Sequence, residues 1–209
     1  MKVVLASKNK HKLVEISKIT EKFGIELVLQ SELGIDIDVE ETGTTFEENS
    51  FIKAEAVMKA TGLPALADDS GIAVDALNGG PGIYSARYGG PEANDKDRNY
   101  KLLGELEGLP TEQRGAHYVC AVCCVFPDGS KLTAEGYMYG YIGTEERGER
   151  GFGYDPLFIV NDGKTVAELT DEVENFAYHF GVKCGGRFVK QHDLRIHRKC
   201  ADDRDSLFL

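Results

Sequence analysis

The sequence predicts one compact domain built from both β-strands and α-helices. The first observation is the run of residues 3–6, which is apolar like a buried strand and leads through a polar turn into a helix pattern. The second is a helix pattern that begins near Phe46 and ends before Gly62. The third is the run 116–126, whose two apolar faces predict a central strand. At 209 residues and 42% hydrophobic, the chain can bury an ample core.

The first helix pattern places apolar residues on one face, three and four positions apart. These residues are Leu13, Ile16, Ile19 and Phe23. Gly24 follows in the position where glycine commonly ends a helix. The alternation over residues 25–29 predicts the next strand.

Residues 7–12 join the first strand to the first helix and predict a place for an anion. Backbone N–H groups and the positive end of the helix dipole meet at such a junction. Lys8 and Lys12 add positive charge there, and Ser7 and Asn9 add uncharged donors. The same residues are also consistent with an N-capped helix whose lysines are solvated.

The second helix is predicted from its start signal, because Thr45 and Glu48 have the spacing of a capping box. One face of this helix is predicted to carry polar side chains, namely Glu47, Asn49 and Lys53. That face is either solvated, or it brings Lys53 and a carboxylate of the Glu40–Glu41 pair towards the acids at 68–69.

Two adjacent acids, Asp68 and Asp69, follow the apolar run 64–66 and precede residues 71–74. Carboxylates at the end of a short buried strand are costly to desolvate unless a cation or a donor meets them. A hard metal ion such as Mg²⁺ fits this need, since it takes one or two carboxylates together with phosphate oxygens of a substrate. The alternative is an ordinary turn in which Asp68 caps backbone N–H groups.

The middle of the chain is rich in turn residues. Residues 78–90 contain many Gly and Pro residues, which indicates either tight backbone geometry over a functional surface or a long flexible connection. A helix is predicted over residues 95–106. A hairpin turn is predicted at 127–130, with the returning strand over 131–139.

A second glycine-rich stretch covers residues 151–158. Glycines flank Phe152, whose ring either stacks on a base or packs in the core. Asp155 is a candidate reader of a base edge.

The acidic composition limits the partners. The chain has 24 basic and 35 acidic residues and a net charge of −11, which argues against general binding of nucleic acid or of membranes. A phosphate ligand must therefore be held by a local cluster of lysines, helix N-termini and metal. No run of about 18 apolar residues predicts a membrane span, and the N-terminal residues do not form a signal-peptide pattern. We therefore expect a cytoplasmic protein.

Five cysteines, an odd number, fit a reducing cytosol better than a disulfide framework. Cys120, Cys123 and Cys124 lie on the apolar run 116–126. The spacing of the first two also occurs in metal sites, but no second pair of ligands accompanies them. We predict buried, reduced thiols.

Six stretches of the chain are each weak signals alone, but their ordered set is specific for one protein family. They are Ala6-Ser7-Lys8-Asn9 with Lys12; Glu40-Glu41-Thr42-Gly43, Thr45-Phe46 and Glu48-Asn49 with Lys53-Ala54; Ala67-Asp68-Asp69-Ser70-Gly71; Pro81-Gly82-Ile83-Tyr84-Ser85-Ala86-Arg87-Tyr88; Gly151-Phe152-Gly153-Tyr154-Asp155-Pro156; and Ala167-Glu168-Leu169-Thr170. The set resembles the inosine triphosphate pyrophosphatase family, the dITP/XTP purine nucleoside-triphosphate pyrophosphatases, over residues 1 to about 173.

The resemblance implies a fold and an activity. The fold is α/β, with a long mixed β-sheet, flanking helices and two lobes around a central active-site groove. The activity is the Mg²⁺-dependent hydrolysis of ITP, dITP and XTP to the monophosphate and pyrophosphate, which cleanses the nucleotide pool. Members of the family are typically homodimers.

The resemblance also implies roles for single residues. The triphosphate is held by Ser7, Lys8, Asn9, Lys10, His11, Lys12 and Lys53. Glu40 and Asp69 bind the metal, and Asp69, with Asp68 beside it, accepts the proton of the attacking water. The nucleotide pocket is lined by Ser70, Phe152, Gly153, Tyr154 and Asp155, with His179 contributed by the last matching segment.

The match with the family breaks after Thr170. Glu174 stands where the family has a phosphate-binding Lys and Phe180 where it has Arg, whereas His179 and Gly181 align. Each lost charged contact is worth about 1.5–3 kcal/mol, so nucleotide binding would weaken steeply. The alternative function is therefore a nucleotide-binding homologue with impaired or absent turnover.

Residues 1–180 are predicted to form the pyrophosphatase domain, and residues 181–209 a divergent tail. One hypothesis for the tail is a polar, disordered segment. The other is a reading-frame change near residue 173, because shifted codons permit Lys, Ile-Ser, Arg and Gly where the family has them. Sequencing the gene tests the second hypothesis, and an intact frame through Leu209 rejects it.

Overall fold

The structure is a computed structural model that describes residues 1–149, 151–160 and 163–168, with His11 and Glu15 described by their backbone alone. The predicted tail and the substituted positions 174 and 180 lie outside the described residues. So does His179, one of the predicted substrate-binding residues.

Strands and helices alternate at the start of the chain, as predicted. Strand β1 (Lys2–Leu5) leads into helix α1 (Lys10–Thr20), and strand β2 (Glu26–Leu29) follows. A 3₁₀ turn (Glu21–Phe23) separates the end of α1 from Gly24, which caps that turn at a φ of 69°. Glycine adopts this left-handed conformation without steric cost, so the predicted stop signal is real although α1 itself ends earlier.

Helix α2 (Phe46–Thr61) confirms the second helix prediction. Thr45 Oγ1 accepts a hydrogen bond from the Glu48 backbone N–H at 3.1 Å, which is half of the predicted capping box. The Glu48 carboxylate instead accepts from the backbone N–H and the hydroxyl of Thr44. The reciprocal bond therefore closes one residue earlier than in the standard box.

The remaining elements are helix α3 (Asp95–Glu105) and strands β3 (Ala65–Val74), β4 (Gly80–Pro81), β5 (Gly115–Val125), β6 (Lys131–Ile142) and β7 (Phe158–Ile159). The described residues form a seven-stranded sheet in the order β2-β1-β3-β5-β6-β7, with β4 paired to β3. β1 is parallel to both β2 and β3, whereas β4 and β7 pair antiparallel with β3 and β6. The sheet is mixed, as expected.

The expectation of a short strand ending in a turn at Asp68 and Asp69 is wrong. β3 continues through both acids for ten residues, to Val74. Its last two residues pair with β4, Ala73 opposite Pro81, and β5 is its neighbour in the sheet. The two acids interrupt the apolar pattern of the strand, not its backbone.

The described residues form two compact units. The first contains Met1–Asp69 and Ala121–Gly136, and the second contains Ser70–Cys120 and the described residues from 137 onwards. Small aliphatic side chains dominate the core of the first unit, among them Val4, Val28, Ala54, Val57, Ala65, Ala67 and Val125. Larger side chains fill the second, among them Ile72, Leu102, Leu106, Ile142, Tyr154, Leu157 and Phe158.

The predicted buried thiols are confirmed. Cys120, Cys123 and Cys124 are buried thiols that are not joined in disulfides. Burial raises the pKa of Cys123 to about 12, so this thiol stays protonated at physiological pH. Among the described helices, none is long and apolar enough to cross a membrane.

Arg114 is a buried side chain whose hydrogen bonds stabilise the second unit. Its side chain is buried and donates to three backbone carbonyls, those of Leu106, Ile142 and Gly143. We expect Arg114→Met to lower the free energy of unfolding by about 3 kcal/mol, because buried carbonyls lose their donors. Thermal unfolding followed by circular dichroism measures this, and the exposed Arg87→Met is the matched control. Equal melting temperatures for the two variants would contradict the expectation.

Candidate active site

Five charged side chains of the first unit form a cluster, which we call the acid–lysine cluster: Lys12, Glu41, Lys53, Asp68 and Asp69. Lys12 Nζ lies 2.6 Å from Asp68 Oδ2. Lys53 Nζ lies 2.8 Å from Glu41 Oε1 and 2.9 Å from Asp69 Oδ1. Three carboxylates thus meet two ammonium groups, so one negative charge remains to be balanced.

The strand and the two helices bring these side chains together. Consecutive residues of a strand point to opposite faces, so Asp68 meets a lysine of α1 while Asp69 meets a lysine of α2. Lys12 lies in the first turn of α1, where Asn9 Oδ1 accepts from the Lys12 backbone N–H at 3.4 Å. Asn9 thereby has the role of an N-cap.

A buried amide holds the loop that carries Glu41. Asn49 is fully buried on α2, and its Oδ1 accepts a hydrogen bond from the Gly43 backbone N–H at 2.8 Å. A Cβ atom at Gly43 would lie only 2.6 Å from that oxygen. The close approach therefore requires glycine, and it fixes the loop two residues after Glu41.

The two aspartates differ in their electrostatics. Burial raises the pKa of Asp69 above its usual value, and Lys53 offsets this only in part. Burial acts on Asp68 in the same direction, but Lys12 outweighs it and holds the pKa of Asp68 below its usual value. Asp69 is therefore the better proton acceptor, whereas Asp68 is committed to its ion pair with Lys12.

The other residues predicted to bind phosphate or metal are more exposed than the acid–lysine cluster. Lys8 forms ion pairs with Asp36 and Asp38, at 2.7 and 3.8 Å. Lys10 and Glu40 are exposed. Of the neighbouring acids at 40 and 41, the structure brings Glu41 to Lys53 and Asp69.

The acid–lysine cluster fits Mg²⁺ by the chemistry of its donors. Asp69 and Glu41 supply carboxylate oxygens and share a single ammonium group, that of Lys53. Mg²⁺ takes one or two carboxylates and fills its other positions with water and phosphate. Within the described residues no three His, Cys, Asp or Glu side chains are grouped to hold a metal ion. A site here would therefore need ligands from substrate and water.

The predicted base-binding residues lie in the second unit. Phe152 is 69% exposed, so its ring is free to stack. Tyr154 is buried, and its hydroxyl donates to the Ser85 carbonyl at 2.9 Å, so its side chain joins residues 151–155 to the segment that contains Ser85. Ser70 is exposed on β3, next to Asp69.

Asp155, in the same glycine-rich stretch, is also buried. It accepts hydrogen bonds from the Phe152 backbone N–H and the Tyr118 hydroxyl, both at 3.0 Å. Burial raises the pKa of Asp155 to about 6, these two donors lower it in part, and the nearby charge of Asp95 raises it. A Cβ at Gly151 would lie 2.6 Å from Asp155 Oδ2, so glycine is required there as well.

The raised pKa of Asp155 predicts a pH-dependent stability difference. Folding favours the protonated acid, so this group costs stability as pH rises from about 4 to about 6. The difference in free energy of unfolding, Asp155→Asn minus parent, should therefore be more positive at pH 7.5 than at pH 4, by on the order of 2 kcal/mol. Urea unfolding of both proteins at the two pH values measures the difference, and an unchanged difference would contradict it.

Sequence reasoning missed several residues of this region. The sequence predicts only a helix for Asp95 and Arg98, yet Asp95 Oδ2 accepts from the Gly153 backbone N–H at 2.8 Å. It predicts only a central strand for Tyr118, yet the Tyr118 hydroxyl donates to Asp155. No local pattern signals contacts between residues so far apart in the chain.

Comparisons with known proteins agree with this fold. The HAM1 protein from Coxiella burnetii has a TM-score of 0.82 at 37% identity, covering 95% of this chain and 99% of that one. A nucleoside-triphosphatase / dITP/XTP pyrophosphatase from Mycobacterium abscessus has a TM-score of 0.76 at 43% identity, covering 87% and 94%. The predicted α/β class, a mixed sheet with flanking helices, is confirmed.

The sequence comparisons define the family. A dITP/XTP pyrophosphatase from Clostridium perfringens (strain 13 / Type A) is 47% identical over 187 residues, which cover 86% of this chain and 92% of that protein. The profile of the Ham1 family matches residues 3–181. The chain belongs to the Ham1 family, and the resemblance drawn from its motifs is confirmed.

Proposed function

We propose that the chain hydrolyses deaminated purine nucleoside triphosphates, namely ITP, dITP and XTP, to the monophosphate and pyrophosphate. The observation that carries this proposal is the acid–lysine cluster, in which Asp69, a half-buried acid of raised pKa, pairs with Lys53 while the adjacent Asp68 pairs with Lys12. A triphosphate needs such cations, and attack by water needs a base. The dITP/XTP pyrophosphatase named above, which aligns with most of the chain, supports the substrate class.

Each part of the cluster has a task in this proposal. Residues 7–12 and Lys53 bind the triphosphate and neutralise charge that develops on the leaving pyrophosphate. Asp69 accepts a proton from the attacking water, which its raised pKa favours. Asp68 keeps Lys12 in place. His179 stays in the proposed substrate-binding set.

Mg²⁺ is the proposed cofactor, held by Asp69 and a carboxylate of the Glu40–Glu41 pair. When bound, it would lower the pKa of water and polarise phosphate oxygens. The fixed loop beside Asn49 places Glu41 near Asp69, whereas Glu40 is exposed. Glu41 is therefore the better candidate of the pair.

A pair of matched variants tests this choice. We expect Glu41→Gln to weaken Mn²⁺ binding about tenfold or more, since a ligand or its close neighbour is lost, and Glu40→Gln to change it less than about threefold. Titration of Mn²⁺ followed by electron paramagnetic resonance measures both affinities without turnover. The opposite order would assign the metal to Glu40.

The purine is bound by Ser70 and residues 152–155 in this proposal. The exposed Phe152 ring offers a stacking surface. Donors aimed at the 6-oxo group of hypoxanthine or xanthine would discriminate against adenine, whose amino group would leave a buried donor unpaired.

The remaining proposals concern the molecule as a whole. We propose a cytoplasmic homodimer with a small-molecule substrate. We also propose that it has no nucleic-acid or membrane partner, which the net charge of −11 supports. We also propose residues 1–180 as the pyrophosphatase domain, and the family profile ends close to this boundary, at residue 181. Light scattering after size exclusion measures the oligomeric state.

Pyrophosphate release from ITP and from ATP, with Mg²⁺ and with a chelator, tests the function. We expect kcat/KM for ITP to exceed that for ATP by about 10²-fold or more, and the chelator to abolish turnover. Binding of ITP without turnover would support the impaired homologue instead. In that event, restored turnover in a Glu174→Lys, Phe180→Arg double variant would identify the altered segment as the cause.

A further inference from the structure

Two loops of the second unit are tied together by hydrogen bonds. Tyr154 donates its hydroxyl to the Ser85 carbonyl, and the Gly153 backbone N–H donates to Asp95 Oδ2. The first bond joins the loop that carries Phe152 to the 3₁₀ segment Gly82–Arg87. The second joins the same loop to the first turn of α3.

Arg98 extends the second tie. Its guanidinium contacts Asp95 Oδ1 and donates to the carbonyls of Ala86 and Ala93, at 3.0 and 2.6 Å. The side chain of Arg98 is 16% exposed, and that of Asp95 is 47% exposed. We call Asp95 and Arg98 the latch.

The helix, rather than the loops, holds the latch. A complete capping box between Asn94 and Asp97 fixes the start of α3. Asp95 and Arg98 stand three residues apart and therefore share a face of that helix. The capping box thus fixes the helix turn from which Asp95 accepts the hydrogen bond of the Gly153 backbone N–H.

The loop that carries Phe152 needs such hydrogen bonds, because two of the five residues 151–155 are glycines. Gly151 and Gly153 have φ values of 87° and 59°, in the left-handed region. Glycine restricts the backbone less than any other residue. The direction of Phe152 is therefore set by the hydrogen bonds on either side, from Phe152 N–H to Asp155 and from Gly153 N–H to Asp95.

The same network includes the part of β3 that belongs to the second unit. Ser85 Oγ accepts from the Ile72 backbone N–H at 2.9 Å and donates to the Gly82 carbonyl at 2.6 Å. Ile72 is buried in β3, three residues after Asp69. Ser85 thus joins β3 through its side chain and Tyr154 through its carbonyl.

We propose that Asp95 and Arg98 are positioning residues that set the affinity of the site for the purine, by holding Phe152 and Asp155 in their binding orientation. This inference rests on the proposed function, in which residues 152–155 bind the base. Neither latch residue touches the nucleotide in this scheme. Their effect reaches the purine through Gly153 and through the carbonyls of Ala86 and Ala93.

Binding measurements on the full chain separate this role from a general role in folding. The ligands are inosine monophosphate, which carries a base, and tripolyphosphate, which does not. We expect Asp95→Ala to raise the Kd of inosine monophosphate about tenfold or more and to leave that of tripolyphosphate within about twofold. Asp95→Asn keeps an acceptor for Gly153 and should restore binding to within about threefold of the parent.

Arg98→Met provides a second variant should Asp95→Ala fail to fold, and Lys96→Ala is the control on the same helix. We expect Arg98→Met to weaken binding of inosine monophosphate selectively and Lys96→Ala to leave both affinities unchanged. Equal changes for both ligands, or no change for inosine monophosphate, would overturn the inference. Turnover of ITP by the parent chain is measured separately, so failure of the proposed function is recognised without affecting the binding result.

Discussion

Asp69→Asn is expected to lower kcat for pyrophosphate release from ITP by about 10³-fold. Asn cannot accept the proton of the attacking water, and it is a poor ligand for Mg²⁺. The side chain keeps its size and can still accept a hydrogen bond from Lys53, so we expect the fold to survive. Steady-state kinetics with saturating Mg²⁺ measures the loss, and circular dichroism checks the fold.

Asp75→Asn is the matched control for Asp69. It makes the same chemical change at an exposed position six residues after Asp69, outside the acid–lysine cluster. We expect it to retain full turnover. A kcat for Asp69→Asn within about tenfold of the parent would exclude Asp69 as the base.

Lys53→Met is expected to lower kcat/KM for ITP by about 10²-fold or more, because two carboxylates and the triphosphate lose a shared cation. The Lys53 ammonium lowers the pKa of Asp69, so its removal raises that pKa further. The acidic limb of the pH–rate profile should therefore move to higher pH. Rates measured between pH 5 and 9 test both effects.

Lys59→Met supplies the control on the same helix. Lys59 pairs with Glu55 one turn away at 3.0 Å and is largely exposed, so its ion pair contributes little. We expect its kinetics and pH profile to match those of the parent. A Lys53→Met profile with an unmoved acidic limb would mean that Lys53 does not act on Asp69.

Local signals predicted most of the helices and strands. The Thr45 cap and Gly62 bound α2, and the apolar run 116–126 became β5 within one residue at each end. Such signals act within a few residues and can be found in a single sequence. The course of β3 could not be found in this way, because pairing with other strands of the sheet, among them β4 and β5, is not visible in the local sequence.

The candidate site was predictable in its residue types but not in its pairings. The sequence indicated that Lys53 and an acid of the Glu40–Glu41 pair approach Asp69, and the structure shows this for Glu41. The choice between the two glutamates depends on the contact between Gly43 and Asn49, which involves backbone geometry that no motif records. The latch formed by Asp95 and Arg98 was missed for the same reason.

A crystal structure with Mn²⁺ and a non-hydrolysable ITP analogue would show whether Asp69 holds a metal ion beside the triphosphate. We expect an anomalous Mn²⁺ peak bonded to a carboxylate oxygen of Asp69 and to one of the Glu40–Glu41 pair, with the triphosphate also on the metal. A metal bound away from Asp69, or a triphosphate that contacts neither Lys12 nor Lys53, would contradict it.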